Sequence, residues 1–159
     1  MNIRDQYRFD TRNETEFRKD IKDGNRIERM LLERWLPTVG SPTYRDTGCG
    51  NDGEFLDIED VNTDPDFYVD TIGYVEVKFC RPVPRHFHLK SSQIRQYIEN
   101  NAQLLMVLGA GREFPTYTLI SVDDLRFLMD ACDEVICRQF GNKKAIRVPV
   151  EWIQWKQMP

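Results

Sequence analysis

The sequence predicts an α/β fold in which helices cover both faces of a central mixed sheet, a three-layer α/β/α arrangement. Three observations predict it. Apolar residues recur at helical spacing in Arg26 to Leu36 and again in Ser91 to Gln103. Tyr74 to Cys80 alternates with period two, as a strand does. Leu104 to Leu108 is a continuous apolar run, as in a strand buried on both faces. Helix, strand, hairpin, helix, strand, strand, helix is an order that forms a mixed sheet with helices on its faces.

At 159 residues, 40% hydrophobic and 30% charged, the chain has the size and composition of a single globular domain, residues 1–159. No apolar run is long enough to span a membrane, and the polar start, Met1 to Asp5, does not resemble a signal peptide. Cys49, Cys80, Cys132 and Cys137 form no CxxC pair and read as reduced thiols of an intracellular, cytoplasmic protein.

Residues 1 to 13 are polar and read as an arm. Asn13 to Lys22 is predicted as a short helix, interrupted at Gly24. The main N-terminal helix is Arg26 to Leu36, with Ile27, Met30, Leu31, Leu32, Trp35 and Leu36 inward and Pro37 ending it. At ~100° per residue, Glu28 falls on the apolar arc between Leu32 and Trp35, whereas Glu33 falls outside it. A carboxylate on the inner face needs a partner or a metal. Pairing with Arg29 is the simpler alternative.

Thr38 to Asn51, with its glycines and Pro42, reads as a loop, with Tyr44 and Arg45 as possible substrate contacts. Glu54 to Val61 reads as an edge strand leading into a hairpin. The hairpin arms carry Asp66-Phe67-Tyr68-Val69-Asp70 and Tyr74-Val75-Glu76-Val77-Lys78. A three-residue loop, Thr71-Ile72-Gly73, would use Gly73 as its left-handed last residue. It pairs Asp70 with Tyr74, Tyr68 with Glu76 and Asp66 with Lys78, and so places Asp66, Glu76 and Lys78 on one face. A two-residue loop would pair Asp66 with Val77 and separate the carboxylates.

Two carboxylates and an amine on one face are the parts of a Mg²⁺-dependent phosphodiesterase. Mg²⁺ takes oxygen ligands, commonly one or two carboxylates plus water and phosphate. The amine can orient the attacking water or stabilise transition-state charge. Asp57 and Asp64 are competing ligands ranked below Asp66. An ordinary amphipathic hairpin with solvated charges would show the same pattern.

Charge distribution favours the functional reading. Asp46 to Glu76 holds ten acids and no Lys or Arg. Val77 to Ile98 holds five bases (Lys78, Arg81, Arg85, Lys90, Arg95), two histidines and no acid. The acidic block suits metal and the basic block suits a phosphate backbone, although the net charge of −4 is unusual for a DNA-binding chain. His86-x-His88 with Cys80 lacks a fourth zinc ligand.

Arg81 to Lys90, with Pro82 and Pro84, reads as an extended connector. Ser91 or Ser92 would cap the next helix, whose inner stripe is Ile94, Tyr97 and Ile98. Gln93 and Tyr97, four apart, are neighbours on its surface. After the Leu104 strand and the turn at Gly109-Ala110-Gly111, Thr116 to Val122 reads as a strand. Asp123 starts a helix running through Val135 and Ile136 to Gly141. Ala145 to Val150 reads as a last strand, and Glu151 to Trp155 as an aromatic tail that either folds back over the core or forms a dimer surface.

Pro65-Asp66 followed by Glu76-Val77-Lys78 resembles the signature of the PD-(D/E)xK nuclease superfamily, which includes restriction endonucleases, Holliday-junction resolvases and RecB-type exonucleases. Gly24 to Arg29 resembles the Gly-x-x-x-Glu-Arg opening of archaeal resolvases. Gln93 to Tyr97 resembles the Gln-x-x-x-Tyr element of RecB-type and phage exonucleases. The likeness is one of motif order over about residues 24–109. It implies a restriction-endonuclease-like core and a Mg²⁺- or Mn²⁺-dependent endonuclease acting on DNA; within that superfamily the small size points to a structure-selective or junction-type enzyme, and such enzymes act as homodimers. Asp66 and Glu76 would bind metal with the Val77 carbonyl, Lys78 would activate water, and Glu28 would be an auxiliary acid at the metal. Gln93, Tyr97, Arg81, Arg85, Lys90 and Arg95 are candidate substrate contacts. The alternatives are a RecB-type exonuclease and a non-catalytic nucleic-acid-binding or interaction module.

Overall fold

The computed structural model describes residues 14–48 and 65–159. In chain order these form helix α1 (Glu14–Trp35) and strands β1 (Tyr44–Asp46), β2 (Phe67–Val69), β3 (Gly73–Cys80) and β4 (His86–Lys90). Helix α2 (Ser91–Glu99), strands β5 (Gln103–Leu108) and β6 (Thr116–Ile120) and helix α3 (Val122–Ala131) follow. Strands β7 (Asp133–Cys137), β8 (Lys143–Pro149) and β9 (Lys156–Gln157) close the chain. Six strands make one mixed sheet in the order β1-β2-β3-β5-β6-β9, and three make a second in the order β4-β8-β7. Among the described strands of the larger sheet only β3 and β5 are parallel. A parallel pair needs a crossover, and β4 with α2 provides it.

Strand β5 shows how the sheet is covered. Its residues 104 to 108 are all buried. Leu105 and Val107 pack with Val75 and Val77 of β3 against Leu31, Leu32 and Trp35 of α1. Leu104, Met106 and Leu108 pack against Ile94 and Tyr97 of α2, Leu125 and Leu128 of α3, and Phe87, Ile146 and Val148 of the smaller sheet. Alternate side chains point to opposite faces, so α1 lies on one side and α2, α3 and the small sheet on the other. The mixed α/β architecture is the one expected. The small sheet was not foreseen.

Local structure departs from expectation in several places. Helix α1 runs unbroken through Gly24, because one helical glycine costs only about 1 kcal/mol and the apolar stripe beyond it is packed. Tyr44–Asp46, expected as loop, is edge strand β1, secured by Tyr44 edge-on to Phe67 at 5.8 Å. The expected strand Glu54–Val61 and the alternative ligands Asp57 and Asp64 lie outside the described residues. The proline connector ends at Arg85, and His86–Lys90 pairs with β8. Ser91 is the first residue of α2, and its hydroxyl donates to Glu134 (2.9 Å) instead of capping the helix. The helix expected to reach Gly141 ends at Ala131. Val135 and Ile136, β-branched residues that suit a strand, pair with β8 instead. The C-terminal tail folds back. Trp155 packs edge-on to Phe87 at 6.0 Å, its indole N–H donates to the Val150 carbonyl, and Met158 enters the α1 core.

The β2–β3 hairpin has a three-residue loop, but it is Asp70-Thr71-Ile72, so Val69 pairs with Gly73 and Tyr68 with Tyr74. The register differs by two residues from the expected one and keeps the same faces. Asp70 is held out of the ladder by β1: its amide donates to the Thr43 carbonyl, and its carboxylate accepts from the Thr43 hydroxyl. Among the described residues no helix is long and apolar enough to cross a membrane.

Gly73 has φ +101°, and a Cβ there would meet nothing within 4 Å. Gly73→Ala should therefore cost about 1–2 kcal/mol from backbone strain alone. Urea unfolding should show a lower midpoint with an unchanged m-value.

Candidate active site

Asp66 stands at the entry to β2, beside the middle of β3. Two hydrogen bonds cross between them. The Asp66 amide donates to Glu76 Oε2 (3.1 Å), and the Val77 amide donates to Asp66 Oδ2 (3.1 Å). Each carboxylate is thus held by the other strand's backbone. The end of β1 fixes Asp66 from behind, because the Thr47 and Gly48 amides both donate to its carbonyl (2.9 and 3.2 Å). The Thr47 hydroxyl donates to the Pro65 carbonyl (2.5 Å).

Glu76 is 8% exposed, an unusual burial for a carboxylate. Its Oε1 accepts from the Tyr97 hydroxyl of α2 (3.2 Å) and lies 3.7 Å from Lys78 Nζ. Tyr97 is itself only 6% exposed. Burial raises its hydroxyl well above the ordinary tyrosine range, despite the Lys78 charge, so it stays a donor. Its place is behind Glu76, where it positions the carboxylate. Lys78 keeps a third of its side chain exposed. Burial alone would lower its ammonium, but the carboxylates of Glu76, Glu28 and Asp66 around it raise it above the ordinary lysine range.

Helix α1 brings Glu28 in from the opposite layer. Burial, then the charge of Asp66, pushes the Glu28 carboxyl up to about 8, against the pull of Lys78. Burial and the charge of Glu76 push Asp66 up to about 7, against Lys78 and the Val77 amide. Three carboxyl groups thus act electrostatically on one ammonium. Asp46, which the sequence reading did not single out, adds to the strain on both Glu28 and Asp66 while paired with Arg29 at 2.8 Å. Its only sequence signal is its place at the start of the acidic block.

Among the described residues no three His, Cys, Asp or Glu side chains converge into a ready-made metal cage. The donor set nonetheless suits a hard divalent ion. Mg²⁺ is generally held by one or two carboxylates with water and phosphate completing the shell. A cation at Asp66 and Glu76 would also favour the ionised carboxylates, which burial and mutual repulsion disfavour.

Beside Lys78 a cleft of about 780 Å³ opens between β3 and the small sheet. Gln93 and Lys90, two expected substrate contacts, line it with Lys78. Arg81, Arg85 and Arg95 are exposed and do not line it. Arg138, absent from the sequence-based candidates, does. It follows a strand that was expected to be helix, so its place could not be foreseen. Val77 contributes its amide, and its side chain is in the α1 core.

The raised carboxyls make a pH prediction. Their ordinary values are 3.8 for Asp66 and 4.5 for Glu28. Between those values and about 7 and 8 the folded, metal-free chain binds more protons than the unfolded chain. Stability should therefore fall as pH rises through that window. In EDTA the melting temperature should drop from about pH 5 to about pH 8, and Asp66→Asn should flatten the drop.

No protein-family model, curated protein or solved structure matches the chain, so the geometry of this site carries the functional reading.

Proposed function

We propose that the chain is a metal-dependent phosphodiesterase that cuts DNA, a small endonuclease on a restriction-endonuclease-like core. The observation that carries the reading is the crossed pairing of Asp66 with Glu76 and Val77, with Lys78 on the same face and touching Glu76. An amphipathic hairpin with solvated charges has no reason to bury Glu76, to back it with a tyrosine, or to draw a glutamate from a helix in another layer.

Asp66 and Glu76 would hold Mg²⁺ or Mn²⁺, with the Val77 carbonyl as a further oxygen ligand. When bound, the ion would polarise the phosphoryl oxygen and lower the pKa of its water. Lys78, held charged, donates hydrogen bonds to the attacking water or to the phosphate oxygens where negative charge grows. Glu28, which interacts electrostatically with Asp66, Lys78 and Glu76, would be an auxiliary acid at the metal. Tyr97 keeps Glu76 oriented. Gln93, Lys90 and Arg138, along the cleft, would meet the sugar–phosphate backbone. The enzyme would be structure-selective or junction-type, and paired cuts would require a homodimer.

The test is cleavage of linear duplex, single strand, supercoiled plasmid and four-way junction with Mg²⁺, Mn²⁺ or EDTA. Cutting should require metal, and Lys78→Ala should lower the rate by about 10²–10³-fold with the fold intact. Asp66→Asn and Glu76→Gln should lose metal dependence together with activity. Binding without cutting by the wild type would instead indicate a non-catalytic module, and activity surviving Lys78→Ala would mean the site lies elsewhere.

A further inference from the structure

Two features flank the carboxylates along β3, and neither is explained by the chemistry at Asp66 and Glu76. The first is a row across three strands. Arg45 pairs with Tyr68, and Tyr68 pairs with Tyr74. The Arg45 guanidinium lies 4.4 Å over the Tyr68 ring, and Tyr68 meets Tyr74 edge-on at 5.2 Å. Tyr74 is two residues before Glu76, so the row shares the face of the site and adjoins it. Arg45 is exposed. The second feature is the cleft beyond Lys78. Lys78, His86, His88, Lys90 and Arg138 line it, and among the described residues no Asp or Glu does. Phe140 and Ile136 supply apolar surface there, with Lys90 Nζ 5.1 Å from the Phe140 ring centroid and Ile136 62% exposed.

We infer that the site receives an unpaired DNA strand. The strand stacks a base on the Arg45–Tyr68–Tyr74 row, crosses Glu76 and Lys78, and continues into the cationic cleft. The inference rests on the nuclease reading for what the strand is brought to, and it names the substrate class. Bases within a duplex stack on one another and expose only their edges, whereas unpaired bases expose faces that aromatic rings and guanidinium planes can cover. A row of two tyrosines and an arginine therefore favours a frayed or single-stranded arm over a blunt duplex. The acid-free cleft complements the backbone charge of the same strand. On β3, Tyr74, Glu76, Lys78 and Cys80 point to one face in succession, which sets the stacking row and the cleft on either side of Glu76 and Lys78.

Fluorescence anisotropy of labelled deoxyoligonucleotides on the whole chain, in EDTA to prevent cutting, tests this. Single-stranded and forked probes should bind at least about tenfold tighter than a blunt duplex of the same sequence. Arg45→Ala and Tyr68→Ala should each weaken single-strand binding by about fivefold or more, with blunt-duplex binding unchanged. Arg138→Glu should weaken it too and reduce its salt dependence. Arg45 and Arg138 are exposed, so those two variants decide the matter even if Tyr68→Ala fails to fold. Equal or tighter binding of the blunt duplex would overturn the inference. So would single-strand binding that stays within about twofold in both arginine variants. Metal-dependent cutting of duplex without single-strand preference would remove this inference and leave the nuclease. Single-strand preference without cutting would remove the nuclease and leave the strand path.

Discussion

The crossed hydrogen bonds between Asp66 and the Glu76-Val77 segment are the constraint around which the rest is arranged. Each carboxylate accepts a backbone amide from the neighbouring strand, so neither can leave without orphaning a donor on the other. Such a clasp requires β2 and β3 in one register. Asp70 tied to Thr43, a three-residue loop and Gly73 in a positive-φ conformation enforce that register. It also requires Asp66 to be held from behind, which the Thr47 and Gly48 amides do. Strand β1 therefore serves the site as well as the sheet edge.

Burying the clasp carries an electrostatic cost that shapes the surrounding layers. Desolvation and mutual repulsion disfavour ionised Glu28 and Asp66. The Tyr97 hydroxyl and the Lys78 ammonium answer part of that cost at Glu76. The two helices that contribute, α1 with Glu28 and α2 with Tyr97, pack on opposite faces of the same sheet through separate apolar cores. This layering lets residues from helices on both faces act at one strand.

Much of the site was legible in the sequence because it rests on short-range periodicity. Alternation along β3 put Glu76 and Lys78 on one face, and helical spacing put Glu28 on the inner arc of α1. The hairpin register was predicted two residues away from the observed one. The faces survived, since strand side chains repeat every two residues. Where local signals are degenerate, the reading failed. Val135 and Ile136 fit a helix stripe or a strand equally well, and the pairing with β8 decided between them. Tyr44–Asp46 is too short to announce itself as a strand, and it exists because β2 offers it an edge. Gly24, a local breaker, was overridden by the packing of the helix beyond it.

The amino-acid sequence by itself determined β2, β3, β5 and β6 as strands, the apolar faces of α1 and α2, and the identity of the acids and the lysine on β2, β3 and α1. These follow from backbone periodicity, which acts over a few residues. Only the tertiary structure decided that Tyr97 lies behind Glu76 and that Asp46 adds charge at Asp66. It also decided that Arg45 lies over Tyr68 and that Arg138 enters the cleft beside Lys78. Those relations join residues far apart in the chain. They depend on strand order and register, which arise from the burial of both sheet faces together and leave no mark in any one stretch.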